Sequence, residues 1–240
     1  ERLDFLGKAV TVYGSKGAES TILDGEGLEG SVVRFATEES SDSILRGFTI
    51  INGNTGSPFP EAPSVLVGGA IFISGASPLI EDCTIASSRS DFGGGLYAQA
   101  SDAKLDRCQF ISNEAVLDGG AILSIDSAMD IVACEFDSNL AGRSGGALHI
   151  LEGATTIQGG ALRSNIALEH GGAISLMLHD LTDSMTLIDG VEILENEALL
   201  GGGIFVSGDG SRLHIQNTSL CDNQPENIHS DDWIDDGGNS

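Results

Sequence analysis

Residues Gly119–Asn139 read GGAILSIDSAMDIVACEFDSN. The stretch opens on Gly-Gly-Ala-Ile, alternates apolar and polar residues as far as Cys134, and closes on Phe-x-x-Asn. The same three features recur on both sides of it. Double glycines open at Gly68, Gly93, Gly119, Gly145, Gly171 and Gly201, in steps of 25, 26, 26, 26 and 30 residues. The closing asparagines Asn113, Asn139, Asn165, Asn196 and Asn223 keep a second register of the same period. Two motifs on one period define a repeat protein, in which each unit buries its apolar face only by stacking on its neighbours.

Inside each unit the periodicity is two. Ile71, Leu96, Ile122, Leu148, Ile174 and Ile204 follow the glycine pairs at a fixed distance. Ile80, Leu105, Ile131, Ile157, Ile188 and Ile215 form a second apolar column, and Ile85, Phe110, Phe136, Leu162, Ile193 and Leu220 a third. Short alternating runs between Gly and Asn/Asp/Ser turns are strands, and no stretch offers an amphipathic helix of useful length. Two or three strands in 25–26 residues make one coil of an all-β parallel β-helix. Equivalent residues then lie about 4.8 Å apart up the stack. The asparagines are expected to bond rung to rung, and the glycine pairs to sit at a corner needing positive φ or close backbone approach.

Gly-Gly-Ala-Ile followed by Phe-x-x-Asn resembles the repeat pair of chlamydial polymorphic membrane proteins and related bacterial right-handed β-helix proteins. GGAI stands at 68–71, 119–122 and 171–174, with GGAL at 145–148 and GGGI at 201–204; Phe-x-x-Asn stands at 110–113 and 136–139. The likeness covers roughly residues 66–228. It implies a right-handed solenoid and a secreted, cell-surface or periplasmic setting in a bacterial envelope. It specifies activity poorly, because that family spans adhesins and other surface proteins.

Eleven basic against 36 acidic residues leave a formal charge of −25 over 240 residues. Such a balance argues against nucleic acid and anionic membrane surfaces as partners. No run approaches the ~18 apolar residues of a spanning helix. Cys83, Cys108 and Cys134 share one place in three consecutive units. They are read as a reduced, inward thiol stack, although neighbours at ~4.8 Å also fall within the Cα range of a disulfide. Cys221 lies three positions later in its unit and is not expected to pair with them.

Residues 1–228 are read as the β-helix. Residues 1–53 form two degenerate coils in which Phe48-Thr49-Ile50 takes the place of Cys83-Thr84-Ile85. A Pro-rich insertion follows at 54–67, then regular repeats at 68–223, with one coil lengthened at 177–187. The opening ERLDFLGKAVTVYG reads as though already inside a coil, which leads us to expect further coils or a partner upstream. Residues 229–240 have no strand alternation and are read as an acidic cap or tail. There Asp231, Asp232, Asp235 and Asp236 offer oxygen ligands suited to Ca²⁺, without EF-hand spacing. No other cofactor is implied.

β-Helices that act on acidic polysaccharides carry clustered carboxylates with a base, or Asn-x-Asp, Asp-Asp, His-Gly and Arg-x-Lys elements across the glycosidic bond. This chain has no Asn-x-Asp and no Arg-x-Lys, and its His170-Gly171 is part of the repeat corner. No catalytic set is assigned. A second feature points outward by period two: Phe72, Tyr97, Leu123, His149, Ser175 and Phe205 occupy one column and predict an exposed apolar-aromatic stripe. Such a stripe is a partner or ligand face unless the chain's own loops fold over it. The function expected is therefore a non-enzymatic, extracellular or cell-surface element, structural, adhesive or assembling, that meets another protein chain or a glycan through its faces and ends. The alternatives are a lyase or glycoside hydrolase on acidic glycans, or a carbohydrate-binding module.

Overall fold

The computed structural model describes residues 2–54, 66–178, 185–208, 212–230 and 233–240. Most of the Pro-rich insertion (55–65) and of the lengthened coil (179–184) lies outside the described residues. The chain is a parallel β-solenoid of about eight turns with almost no helix.

Among the described residues three sheets run along the stack. The first has nine strands among the described residues, from Leu3–Asp4 and Val33–Phe35 through the six strands that follow the glycine pairs to Ile228–His229. The second has fifteen and runs in two lanes. Asp130–Asp137 and Thr156–Arg163 cross both lanes and join them. The third sheet is short, with strands Arg89–Phe92, Glu114–Asp118, Leu140–Ala141 and Ile166–Ala167. Every pairing is parallel and joins residues one coil apart, such as Leu96 with Ile71 and Ile122. The first two coils follow the same plan, Leu3–Asp4 pairing Val33–Phe35 and Thr11–Tyr13 pairing Ile44–Arg46. Thr49 and Ile50 sit in register with Thr84 and Ile85.

The three apolar columns face one another inside the coil and form one continuous buried cluster. Each leucine or isoleucine buried there contributes about 1.5–3 kcal/mol relative to exposure. Phe110 and Phe136 stack within their column with centroids 5.0 Å apart.

The corners are set by left-handed residues. Ser112, Ser138, Ser164, Glu195 and Asp222, each just before a ladder asparagine, have φ between 52° and 57°. The first glycine of each pair has φ between 61° and 71°. A Cβ on Gly119 would fall onto the Ile122 carbonyl, and one on Gly120 onto the Gly146 carbonyl of the next coil. The first glycine thus answers to the turn and the second to coil-to-coil approach.

The asparagine ladder is continuous. Asn113, Asn139, Asn165 and Asn196 each donate a backbone N–H to the Oδ1 of the next asparagine at 2.9–3.0 Å. Their side-chain amides reach the same oxygens at 2.9–3.1 Å. Ser88 N–H donates to Asn113 Oδ1 at one end, and Asn223 Nδ2 donates to Asn227 Oδ1 at the other. The cysteine column is likewise a ladder of free, buried thiols. Cys83, Cys108 and Cys134 donate to the carbonyls of Leu45, Ile80 and Leu105, at 3.8, 3.4 and 3.7 Å. Cys108 and Cys134 also reach the Asp106 and Val132 carbonyls of their own coils, and Cys134 Sγ accepts from the Cys108 backbone N–H, so the thiols are held largely by backbone.

The end of the chain carries strands although its sequence lacks their alternation. Ile228–His229 pairs with Ile204–Ser207, and Ile234–Gly237 with Arg212–Gln216, so residues 228–240 add strands to two sheets. Asn239 explains how: its Oδ1 accepts from Thr218 N–H and its Nδ2 donates to the Ile215 carbonyl. One amide side chain substitutes for the apolar alternation that the sequence lacks there.

Candidate interaction face

The outward column of the first sheet is where the sequence places a binding stripe. The orientation is as read, since these side chains lie outside the main core, but the exposure is not. Phe72, Tyr97, Leu123 and His149 are 4, 5, 2 and 2 % exposed, and Ser175 is fully buried. Phe72, Tyr97 and Leu123 form a second apolar cluster with Val67, joined by Ala36, Phe92, Ile125 and Leu151. Phe72 and Tyr97 stack with centroids 5.7 Å apart, and the Arg34 guanidinium lies over the Phe72 ring.

The cover is part of the repeat itself. The residue before each glycine pair (Val67, Phe92, Asp118, Ser144, His170 and Leu200) belongs to a column of its own, with parallel bridges from Val67 through Phe92 to Asp118 and from Ser144 through His170 to Leu200, and the Gly119 N–H donating to the Ser144 carbonyl between them. The left-handed glycine that follows turns the chain back, so this column lies over the strand it precedes. Val67 joins the apolar cluster in this way, and His170 lies 4.4 Å from the Phe205 ring. Only Phe205 keeps partial exposure, between His170 and His229, the latter stacked at 5.5 Å. The predicted stripe is therefore a covered second layer.

Halfway up, the second layer turns polar. Asp118, itself buried, is held by the Arg143 guanidinium. Ser144 Oγ lies 3.4 Å from His170 Nδ1. His149 sits among these groups, and burial pushes its pKa down to about 4. Asp118 opposes that shift, while Arg143 and His170 add to it. His149 Nδ1 and Ser175 Oγ, in register on adjacent strands, have no hydrogen-bond partner. His149 is thus a neutral imidazole near pH 7, sealed within the chain.

The face that is open is the outer side of the third sheet. Its inner alanines Ala115, Ala141 and Ala167 are buried in register. By period two the residues beside them, and beside Ala198 one coil further on, point outward, and five of these are aliphatic: Val116, Leu140, Ile166, Leu168 and Leu199 are 43, 37, 38, 64 and 67 % exposed. Leu140 pairs directly with Ile166, which is bridged to Glu197 on the next coil. Five such side chains on four successive coils make a contiguous apolar strip, whereas single exposed leucines would carry no meaning. Glu169 and Glu197 are exposed beside it, and Arg89 and Glu114 form an ion pair of 3.3 Å at its other end. The signal was present in the sequence at the first and third positions after each ladder asparagine, where solvent-facing residues should be polar.

The remaining candidates separate. Asp235 accepts hydrogen bonds from Gly237 N–H and Asn239 Nδ2, and Asp236 lies 2.9 Å from His214 Nδ1. Asp231 and Asp232 lie outside the described residues. Among the described residues no group of three or more His, Cys, Asp or Glu is placed to hold a metal ion, and no helix is long and apolar enough to cross a membrane. Arg46 and Arg107 share Glu81 on the second sheet, with Arg107 also bonded to Asp82 and Asp106. Two guanidinium groups thus face three carboxylates, and both are engaged within the chain. Comparison with protein-family models, with curated proteins and with solved structures finds no match to this chain.

Proposed function

We propose that this chain is a non-enzymatic extracellular or cell-surface β-helix, a structural, adhesive or assembly element that works through a side face. The observation that carries the reading is the aliphatic strip of Val116, Leu140, Ile166, Leu168 and Leu199 on a chain of charge −25. Large exposed apolar residues gathered on neighbouring coils of one face, on a chain of strongly acidic balance, are a binding surface. The ladder architecture supports it, because a stack bonded through every coil presents such a strip rigidly and with little ordering cost on binding. The GGAI and Phe-x-x-Asn repeats, with their resemblance to chlamydial polymorphic membrane proteins, favour a bacterial envelope setting.

The test is retention on isolated bacterial envelopes by the bead-immobilised chain, beside the double variant Leu168→Asp/Leu199→Asp. Both positions are exposed, so the variant's stability should change by no more than about 0.5 kcal/mol at each. Retention by the parent and its loss in the variant is the expected result. Equal behaviour of the two, or release of reducing ends from an acidic glycan by the parent, overturns the reading.

A further inference from the structure

We infer that the third-sheet strip is a docking face for one cationic amphipathic helix lying along the solenoid axis, an inference that rests on the side-face reading above. Geometry sets the length. The five side chains occupy four successive coils, three steps of about 4.8 Å, or roughly 14 Å. At 1.5 Å per residue this is about 10 residues of α-helix, whose apolar stripe at i, i+3/i+4 and i+7 is a single ridge. The strip is comparably narrow, two outward positions wide on each coil, with Gly142 between Val116 and Leu168 as the one position lacking a side chain. A helix stripe matches that shape, and recognition of this kind reads side chains at those spacings.

Charge sets the sign of the partner. Glu169 and Glu197 stand exposed beside Ile166, Leu168 and Leu199, while the nearby Arg143 is already engaged by Asp118. The chain as a whole carries −25. Lysine or arginine flanking an apolar stripe complements that field and is drawn to it at long range. A second copy of the chain would bring −25 against −25. The strip's five side chains also fall short of the ~800 Å² per partner of a standard protein interface.

The experiment uses the full chain and three labelled peptides of about 12 residues, read by fluorescence anisotropy. One has leucines at i, i+4, i+7 and i+11 with lysines elsewhere; the second is its shuffled isomer of equal charge; the third carries glutamate for lysine. Saturable binding of the first alone is expected. Leu168→Ser/Leu199→Ser should weaken it at least about tenfold, since one buried leucine is worth a tenfold change or more. Glu169→Gln/Glu197→Gln should weaken it and flatten its salt dependence. Equal binding of the shuffled peptide reduces the effect to charge and overturns the helix-docking face. Equal binding of the acidic peptide overturns the cationic assignment, and binding of none overturns the inference outright. A dimer in sedimentation that Leu168→Ser/Leu199→Ser dissolves makes a second copy the occupant, which overturns the inference while leaving envelope retention, and with it the side-face reading, intact.

Discussion

Asn139 places its backbone N–H and its side-chain amide on a single atom, Asn165 Oδ1, at 3.0 and 2.9 Å. The amide also donates to the Phe110 carbonyl, and Asn139 Oδ1 in turn receives both donors of Asn113. One buried side chain therefore satisfies polar groups on three coils. Asn139→Ala leaves the Asn113 backbone N–H buried without its acceptor, takes one of two acceptors from the Asn113 amide, and removes an amide donor from the Phe110 carbonyl. The expected loss is on the order of 3 kcal/mol in denaturant unfolding; a loss below about 1 kcal/mol would show the ladder to be incidental. Asn139→Asp keeps an acceptor for Asn113 but sets carboxylate oxygens against Asn165 Oδ1 and the Phe110 carbonyl. Burial raises the pKa of that carboxyl, so the variant should lose stability relative to the parent as pH rises above the ordinary aspartate value of about 3.9.

The glycines divide by what surrounds them. Gly120 stands against the Gly146 carbonyl of the next coil, so Gly120→Ala must push two coils apart. Gly190 has φ of 67° but open space where a Cβ would go. Its counterparts in other coils, Asp82, Arg107, Ala133 and Asn217, hold φ of 50–53° with side chains. Gly190→Asn should therefore cost about 1 kcal/mol or less, and Gly120→Ala about 3 kcal/mol or more. Matching melting temperatures for the two variants would refute the close-approach argument.

What the sequence discloses here follows from how strongly stacking constrains a position. Ile122 must resemble Leu96 and Leu148 because each is buried against the others, and the period shows it. The asparagines are legible for the same reason, since an amide bonds the copy of itself one coil away. The covering of Tyr97 and His149 is not legible. It depends on where Asp118 or His170 is carried by a left-handed glycine, and those cover residues differ in chemistry from coil to coil. The strands at the end of the chain are not legible because Asn239 closes its coil through one amide rather than through alternation. The open strip is not legible because Leu140, Ile166 and Leu168 resemble core residues in a count of hydrophobics, and only the register of Ala141 and Ala167 fixes their direction.

The cysteines give a direct check on the register. Cys83, Cys108 and Cys134 are buried free thiols and Cys221 is exposed. Burial pushes the Cys83 thiol up to about 11, and Asp222 raises that of Cys221. A thiol-specific reagent at pH 8 should modify Cys221 alone in the native chain, slowly, and all four after unfolding in denaturant. Slow reaction follows from the small thiolate fraction. A second thiol reacting at the rate of Cys221 before unfolding would contradict the inward ladder.

His149 gives the pH dependence. Its folded pKa of about 4 lies below the ordinary histidine value of 6.5, because burial disfavours the charged ring. The unfolded chain therefore binds a proton at this residue that the folded chain refuses between those two values. Stability from this group is fully present above pH 6.5 and is lost as pH falls toward 4, by on the order of 3 kcal/mol. Acidification also neutralises part of the −25 charge and relieves self-repulsion, which acts in the opposite direction. The two contributions separate by difference. His149→Leu keeps an apolar group in a column where Leu123 already sits on the adjacent strand, and it removes the titrating ring while leaving the other charges in place. The variant should match or exceed the parent at pH 4.5 and show a flatter profile between pH 4 and 6.5 in urea unfolding. Parallel profiles for parent and variant would mean that His149 takes up its proton in the folded chain as readily as in the unfolded one, and that the cover over the second layer is open.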